Sequence, residues 1–152
     1  MPGAQDLELL RTAILCLVNR ERTARGERGL RVDPRLQAAA QGHTESMALG
    51  GYFEHLGPGG QTPYDRMRAA GYISSSSLGY ELGENIAWGT GSLATPRAIV
   101  GAWMASPGHR ANILDSRFRD TAVGVFARVP ASLGGGQQGG IYTEDFGVVS
   151  GR

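Results

Sequence analysis

The chain has 152 residues, 41% of them hydrophobic, which is enough for one buried core and too little for two comfortable domains. Fifteen basic against fourteen acidic residues leave a net charge of +1, and the arginines are scattered along the chain, so no nucleic-acid footprint is indicated. No apolar run approaches the roughly 18 to 20 residues that a membrane-spanning helix requires.

The start, Met1-Pro2-Gly3-Ala4-Gln5, has neither a basic n-region nor an apolar h-region, so a secreted protein would have to stand here in mature or trimmed form. From Leu7 to Arg25, Leu7, Leu10, Ile14, Leu17 and Val18 recur at helical spacing. Leu9, Ala13 and Cys16 widen that arc beyond half the circumference, which predicts a helix covered on two sides, with Cys16 as a packing residue. As the single cysteine, Cys16 can form no internal disulfide, and stability must come from packing.

Asp33-Pro34 is an N-cap and first-turn pair, and Leu36, Ala39, Ala40, His43 and Met47 fall on one face of the helix it opens, which Gly50-Gly51 ends. His43 on that face is expected to be a hydrogen-bonded core histidine rather than a ligand. Thr62-Pro63 repeats the signature before a short helix, Tyr64 to Ala70, closed by Gly71 in a left-handed cap. Gly57-Pro58-Gly59-Gly60-Gln61 lacks the Lys-Ser or Lys-Thr of a phosphate loop, and nucleotide binding is discounted. Ser74 to Ser77 is a polar loop.

Residues 80 to 88 form a strand-like run with Glu84, Ile86 and Trp88 on one face and Asn85 and Ala87 on the other. Thr95-Pro96 opens a helix that aligns Ile99, Ala102, Trp103 and Ser106 and stops at Pro107-Gly108, with Ser106-Pro107 capping a short turn that carries His109. Trp88 and Trp103 are both expected to pack in the core. Val123 to Val129 alternates, and Gly140 to Val148 follows as its antiparallel partner. Leu133 to Gly140 between them is a Gly/Gln tract expected to be a mobile loop. Glu144 and Asp145 are adjacent strand positions, of which one should face the cleft and one solvent; the sequence leaves open which. Helices around a few late strands predict an α+β fold with a mixed, largely antiparallel sheet covered on both faces.

Four pieces stand out in order: Phe53-Glu54-His55, Gly83-Glu84-Asn85-Ile86-Ala87-Trp88, Trp103 through Leu114 with Ser106-Pro107-Gly108-His109 inside it, and Tyr142-Thr143-Glu144-Asp145-Phe146-Gly147. Their order resembles the CAP superfamily, the SCP-like extracellular domain of cysteine-rich secretory, antigen 5 and pathogenesis-related proteins. The likeness runs from about Leu7 to Gly147 and is strongest to short bacterial members without the animal and plant disulfides. The absence of Lys among the fifteen basic residues suits a GC-rich bacterial source. The resemblance implies a single domain over residues 1–152, an α-β-α sandwich, and an extracellular or cell-envelope location.

It also implies a cleft in which His55, Glu84 and His109 match the family's two histidines and one of its acids. The position of the second acid in many relatives is here Ser106, so the matching cleft is His55, Glu84, Ser106 and His109. Two imidazoles and a carboxylate suit Zn²⁺ with an open coordination position, so zinc is the expected metal if one is held. Equally open is a purely structural role, in which Glu84 accepts hydrogen bonds from the imidazoles. No residue is assigned a catalytic role. The reading favoured on these grounds is a secreted, monomeric binding module for a lipid, another small apolar ligand or a cell-wall or cell-surface partner, with no nucleic-acid role. The alternative is a hydrolase, in which zinc activates water or Ser106 acts as nucleophile with a histidine base. Ser106 has no Gly-x-Ser-x-Gly elbow, which weakens the serine version.

Overall fold

The cap signals act as the sequence implies. Asp33 accepts a hydrogen bond from the Arg35 backbone N–H at 2.8 Å and opens helix α2, Pro34–Gly50; Gly51, at φ 68°, closes it in the left-handed region that favours glycine. Thr62 and Asp65 form a reciprocal capping box that opens α3, Pro63–Ala69, and Thr95 accepts from Ala98 N–H to open α4, Pro96–Ala105. In this computed structural model residues 4–135 and 137–151 are described. The remaining α-helices among the described residues are α1, Ala4–Thr23, α5, Pro107–Leu114, and α6, Ala131–Gly134.

Four strands, β1 (Arg31–Val32), β2 (Gly79–Thr90), β3 (Asp120–Phe126) and β4 (Gly139–Ser150), form one sheet in the order β1-β3-β4-β2. All neighbours run antiparallel except the short parallel pair β1 and β3, so the sheet is mixed and largely antiparallel, as expected. Register sorts the side chains. Glu84, Ile86, Ala122, Thr143 and Asp145 share the face covered by α2 and α3, and Val123, Val125, Tyr142, Glu144 and Phe146 share the face covered by α1, α4 and α5. This is the α-β-α sandwich. On the second face Ile14, Val18, Ile99, Trp103, Ile113 and Phe118 form the larger apolar cluster; on the first, Leu36, Met67 and Tyr72 form a smaller one. α2 lies against β3 because Gly124 has no side chain: a Cβ there would stand 2.5 Å from the Ala40 carbonyl oxygen.

Several expectations are corrected. α1 is covered on one side only: Ile14 and Val18 are fully buried, while Leu9 is 68% exposed and Cys16 is exposed, so Cys16 is not a packing residue. The wide apolar arc of α1 exceeds what one sheet face can cover. The helix opened by Thr95-Pro96 does stop ahead of Pro107-Gly108, at Ala105, but Pro107 then sits at the first position of α5, turning the anticipated short turn around His109 into eight helical residues, and the Ser106 side chain makes no cap hydrogen bond. The strand expected over 123–129 is shifted, covering Asp120–Phe126 and ending ahead of Pro130. The tract expected to be a mobile loop begins within α6, and its Gly136 lies outside the described residues. Trp88 is 37% exposed rather than in the core, because its row of the sheet lies near the end of β2, whereas Trp103 is buried and donates its indole N–H to the Ile86 carbonyl at 3.1 Å. Glu144 and Asp145 are both fully buried, since helices cover both faces of β4 and neither face meets solvent.

Candidate functional site

The Gly83-Glu84-Asn85 segment lies on β2, which is an edge strand. Its two polar side chains point to opposite faces and do different work. Asn85, fully buried beneath α5, donates to the His109 carbonyl at 3.0 Å and accepts from Asn112 at 2.9 Å. Asn112 also donates to the Glu84 carbonyl at 3.3 Å. With the Trp103 indole on the Ile86 carbonyl, two outward carbonyls of the edge strand are thereby satisfied by side chains, which blunts the edge and fixes α5 against it. Gly83 is required here: a Cβ would meet Asn112 Oδ1 at 2.9 Å and the Phe118 ring at 3.0 Å.

Glu84 projects to the other face and is buried. His55 Nδ1 lies 2.9 Å from Glu84 Oε1; a carboxylate there accepts, so Nδ1 carries a proton and Nε2 is the ring nitrogen outside this contact. The His55 side chain is 49% exposed, so that nitrogen belongs to the open edge of the site. Arg66, from α3, places Nη2 at 3.0 Å from both Glu84 oxygens. It also donates to the His55 carbonyl at 2.8 Å and to the Gln61 carbonyl at 3.2 Å, pinning the Gly-rich loop that carries His55. His43 is buried, as expected of a core histidine, and donates from Nε2 to the Glu54 carbonyl at 2.7 Å; the same nitrogen is 3.9 Å from Glu84 Oε1. His43 is therefore both a core residue and a neighbour of the site.

Asp145 stands directly opposite Glu84 in the β2–β4 register. Among the described residues neither of its carboxylate oxygens accepts a hydrogen bond, and both are buried. Burial, reinforced by the negative charge of Glu84, raises Asp145 well above the usual carboxylate range, so it keeps its proton and shares it with Glu84. Burial alone would raise Glu84 as well. The hydrogen bond from His55, the proton from Asp145 and the charge of Arg66 outweigh it and bring Glu84 down to about 2. His43 is lowered by burial first and by the Arg66 charge, and His109 by burial and then by the proximity of His55; both are therefore biased to the neutral form.

The residues predicted from sequence thus fall unevenly. His55 and Glu84 touch; His109 is close enough to His55 for their charges to interact but, among the described residues, forms no ion pair with Glu84. Ser106, half-buried at the junction of α4 and α5, makes no hydrogen bond to either imidazole among the described residues. Arg66 was not anticipated, and no local pattern marks it among fifteen arginines. Asp145 could be narrowed to one of two positions, but only the register assigns it. A cavity of about 840 Å³ lies at the far end of the sheet against Leu10, Pro96, Arg128 and Tyr142, and none of the four cleft residues lines it.

A divalent ion held by His55, Glu84 and His109 does not fit this arrangement. Both Glu84 oxygens already face a guanidinium, and among the described residues no cluster of three or more His, Cys, Asp or Glu side chains has the geometry of a metal site.

The sandwich, the His–Glu contact on the edge strand and the α5 clamp define an SCP-type domain. The model of the cysteine-rich secretory protein (CAP) family matches residues 15–135, and the chain belongs to that family. Uncharacterized protein YkwD of Bacillus subtilis (strain 168) is 34% identical over 130 residues, 86% of this chain and 44% of YkwD. An extracellular protein containing a SCP domain from Bacillus anthracis str. Ames superimposes with a TM-score of 0.73 at 25% identity, over 96% of this chain and 44% of that one. An outer surface protein from Borrelia burgdorferi shares the fold, with a TM-score of 0.70 at 18% identity over 99% of this chain and 97% of its own. The chain thus spans less than half the length of the two Bacillus proteins.

Proposed function

We propose that the chain is an extracellular or cell-envelope binding module whose cleft captures a ligand without turning it over. The location follows the B. anthracis neighbour, whose description is extracellular. The observation that carries the non-catalytic reading is the state of Glu84. Its oxygens are engaged by Arg66 and His55 and it is held ionised down to about pH 2, so at neutral pH it has no proton to give and little basicity to take one. The other acid on that face, Asp145, is sealed from solvent, and Ser106 has no imidazole to activate it among the described residues.

What remains open to a ligand is the His55 ring edge, His109 within electrostatic reach of it, and the partly exposed ring of Trp88, on the same face of β2 as Glu84 and about 13 Å along the strand from it. That combination of imidazole hydrogen-bonding groups and a partly exposed aromatic ring suits a lipid, another small amphiphile or a cell-wall component. The test has two arms. Ester, peptide and peptidoglycan substrates, screened with and without added zinc, should show no turnover above buffer. Turnover well above buffer that disappears in Glu84→Gln, with fold retained, would make the domain a hydrolase. In the binding arm, titration with fatty acids or solubilised cell-wall fragments should change tryptophan fluorescence in wild type and not in Trp88→Phe.

A further inference from the structure

We infer that Arg66 is a built-in cation that stands where a divalent ion would otherwise neutralise Glu84, withdrawing Glu84 from metal ligation and making it the residue that orients His55. The inference is independent of whether the cleft captures or turns over its ligand. Its basis is geometric. One guanidinium nitrogen lies 3.0 Å from each Glu84 oxygen, at the bisecting position a bidentate metal ion would take, and the same nitrogen reaches the His55 carbonyl at 2.8 Å. The pair is nearly sealed, with 5% of the Arg66 side chain and 2% of the Glu84 side chain exposed.

A doubly charged ion brought to Glu84 would meet this fixed positive charge in a site with little water to screen it. The guanidinium cannot escape by losing its proton. Nor can it swing out readily, because it also donates to the Gln61 carbonyl from a helix whose start is fixed by a capping box. With Oε1 already accepting from Nδ1 of His55, Glu84 has the place of an orienting partner, the acid behind an imidazole whose Nε2 faces outward. Arg66 is thus a positioning residue that acts on His55 twice, through its backbone carbonyl and through Glu84.

Zinc titration against a chromophoric chelator at neutral pH, with circular dichroism to check folding, tests this. Glu84→Gln should bind zinc within about threefold of wild type, weak or absent binding in both included, because Glu84 is not in the ligand set. Arg66→Met, which keeps an apolar stem and removes the charge, should gain at least ~10-fold in zinc affinity, the scale on which partners of a metal ligand act. The gain should vanish in Arg66→Met/Glu84→Gln and be missing from Arg66→Lys, which keeps the charge. A folded Arg66→Met without the gain would overturn the inference. If Arg66→Met fails to fold, the wild-type comparison still decides: a loss of more than tenfold in folded Glu84→Gln would make Glu84 a direct ligand and the inference wrong. NMR supplies an independent readout, since wild-type His55 should be the Nδ1–H tautomer and its ring shifts should change in Arg66→Lys, whose ammonium cannot hold both carbonyl and carboxylate in the same geometry.

Discussion

Glu84 and Glu144 lie on neighbouring strands of one sheet, on opposite faces, and both are buried, yet their ionisation is displaced in opposite directions. Glu84 is brought down to about 2 and Glu144 is pushed up to about 8. On the face under α2 and α3, Glu84 meets a guanidinium, an imidazole N–H and a protonated Asp145. On the face under α1, α4 and α5, burial dominates Glu144, eased by one hydroxyl, Thr121 Oγ1 at 2.8 Å, and by the charge of Arg22; its Oε1 has no partner among the described residues. Arg22 is itself fully buried but spends its donors on the carbonyls of Arg28, Ile113, Asp115 and Phe118. Burial sets the penalty for charge, and the partner decides whether charge survives it.

Arg66 is the group on which the difference between the two carboxylates depends most. Arg66→Met leaves a buried carboxylate without its cation and should lower unfolding free energy by about 3–5 kcal/mol in urea titrations at pH 7. Adding Glu84→Gln to it should restore a large part of the loss, because the uncompensated charge is then gone. A double variant no more stable than Arg66→Met would mean that Arg66 acts by packing alone.

The opposite shifts also predict opposite pH dependences. Glu84 is lowered, so its contribution is present above its ordinary value near 4.5 and is lost as pH falls towards about 2. Glu144 is raised, so the folded state holds a proton that the unfolded state gives up: its share of stability is fullest below about 4.5 and declines as pH rises towards about 8. Glu144→Gln removes that decline and should flatten the stability profile between pH 5 and 8, with a relative gain at pH 8 on the order of 2 kcal/mol or more. Equal slopes in wild type and variant would show that Glu144 is ionised across the range.

A smaller effect is expected on the outside of the larger core. Cys16→Ser should change stability by less than about 0.5 kcal/mol, since Cys16 is exposed on α1. Native protein should also react with a thiol reagent at a rate close to that of the unfolded chain. Strong protection in the native state would put another surface over α1.

Whatever local chemistry controls was legible in the order of residues. Cap residues followed by proline placed α2, α3 and α4, alternation placed the long antiparallel strands, and the ordered motifs identified the family and brought His55 and Glu84 together. Even the facing of β2 was legible, because side chains on a strand alternate whatever covers them. Tertiary structure decided the rest. Cys16 and Trp88 are as apolar as their buried neighbours, and only the extent of the covering layer shows that they lie outside it. Asp145 reaches Glu84 through strand register, and Glu144 is buried because a second helical layer covers its face. Arg66, 18 residues from Glu84 and without any local signature, was decided only when α3 packed beside β2, since an ion pair depends on distance in space and leaves no periodicity in the chain.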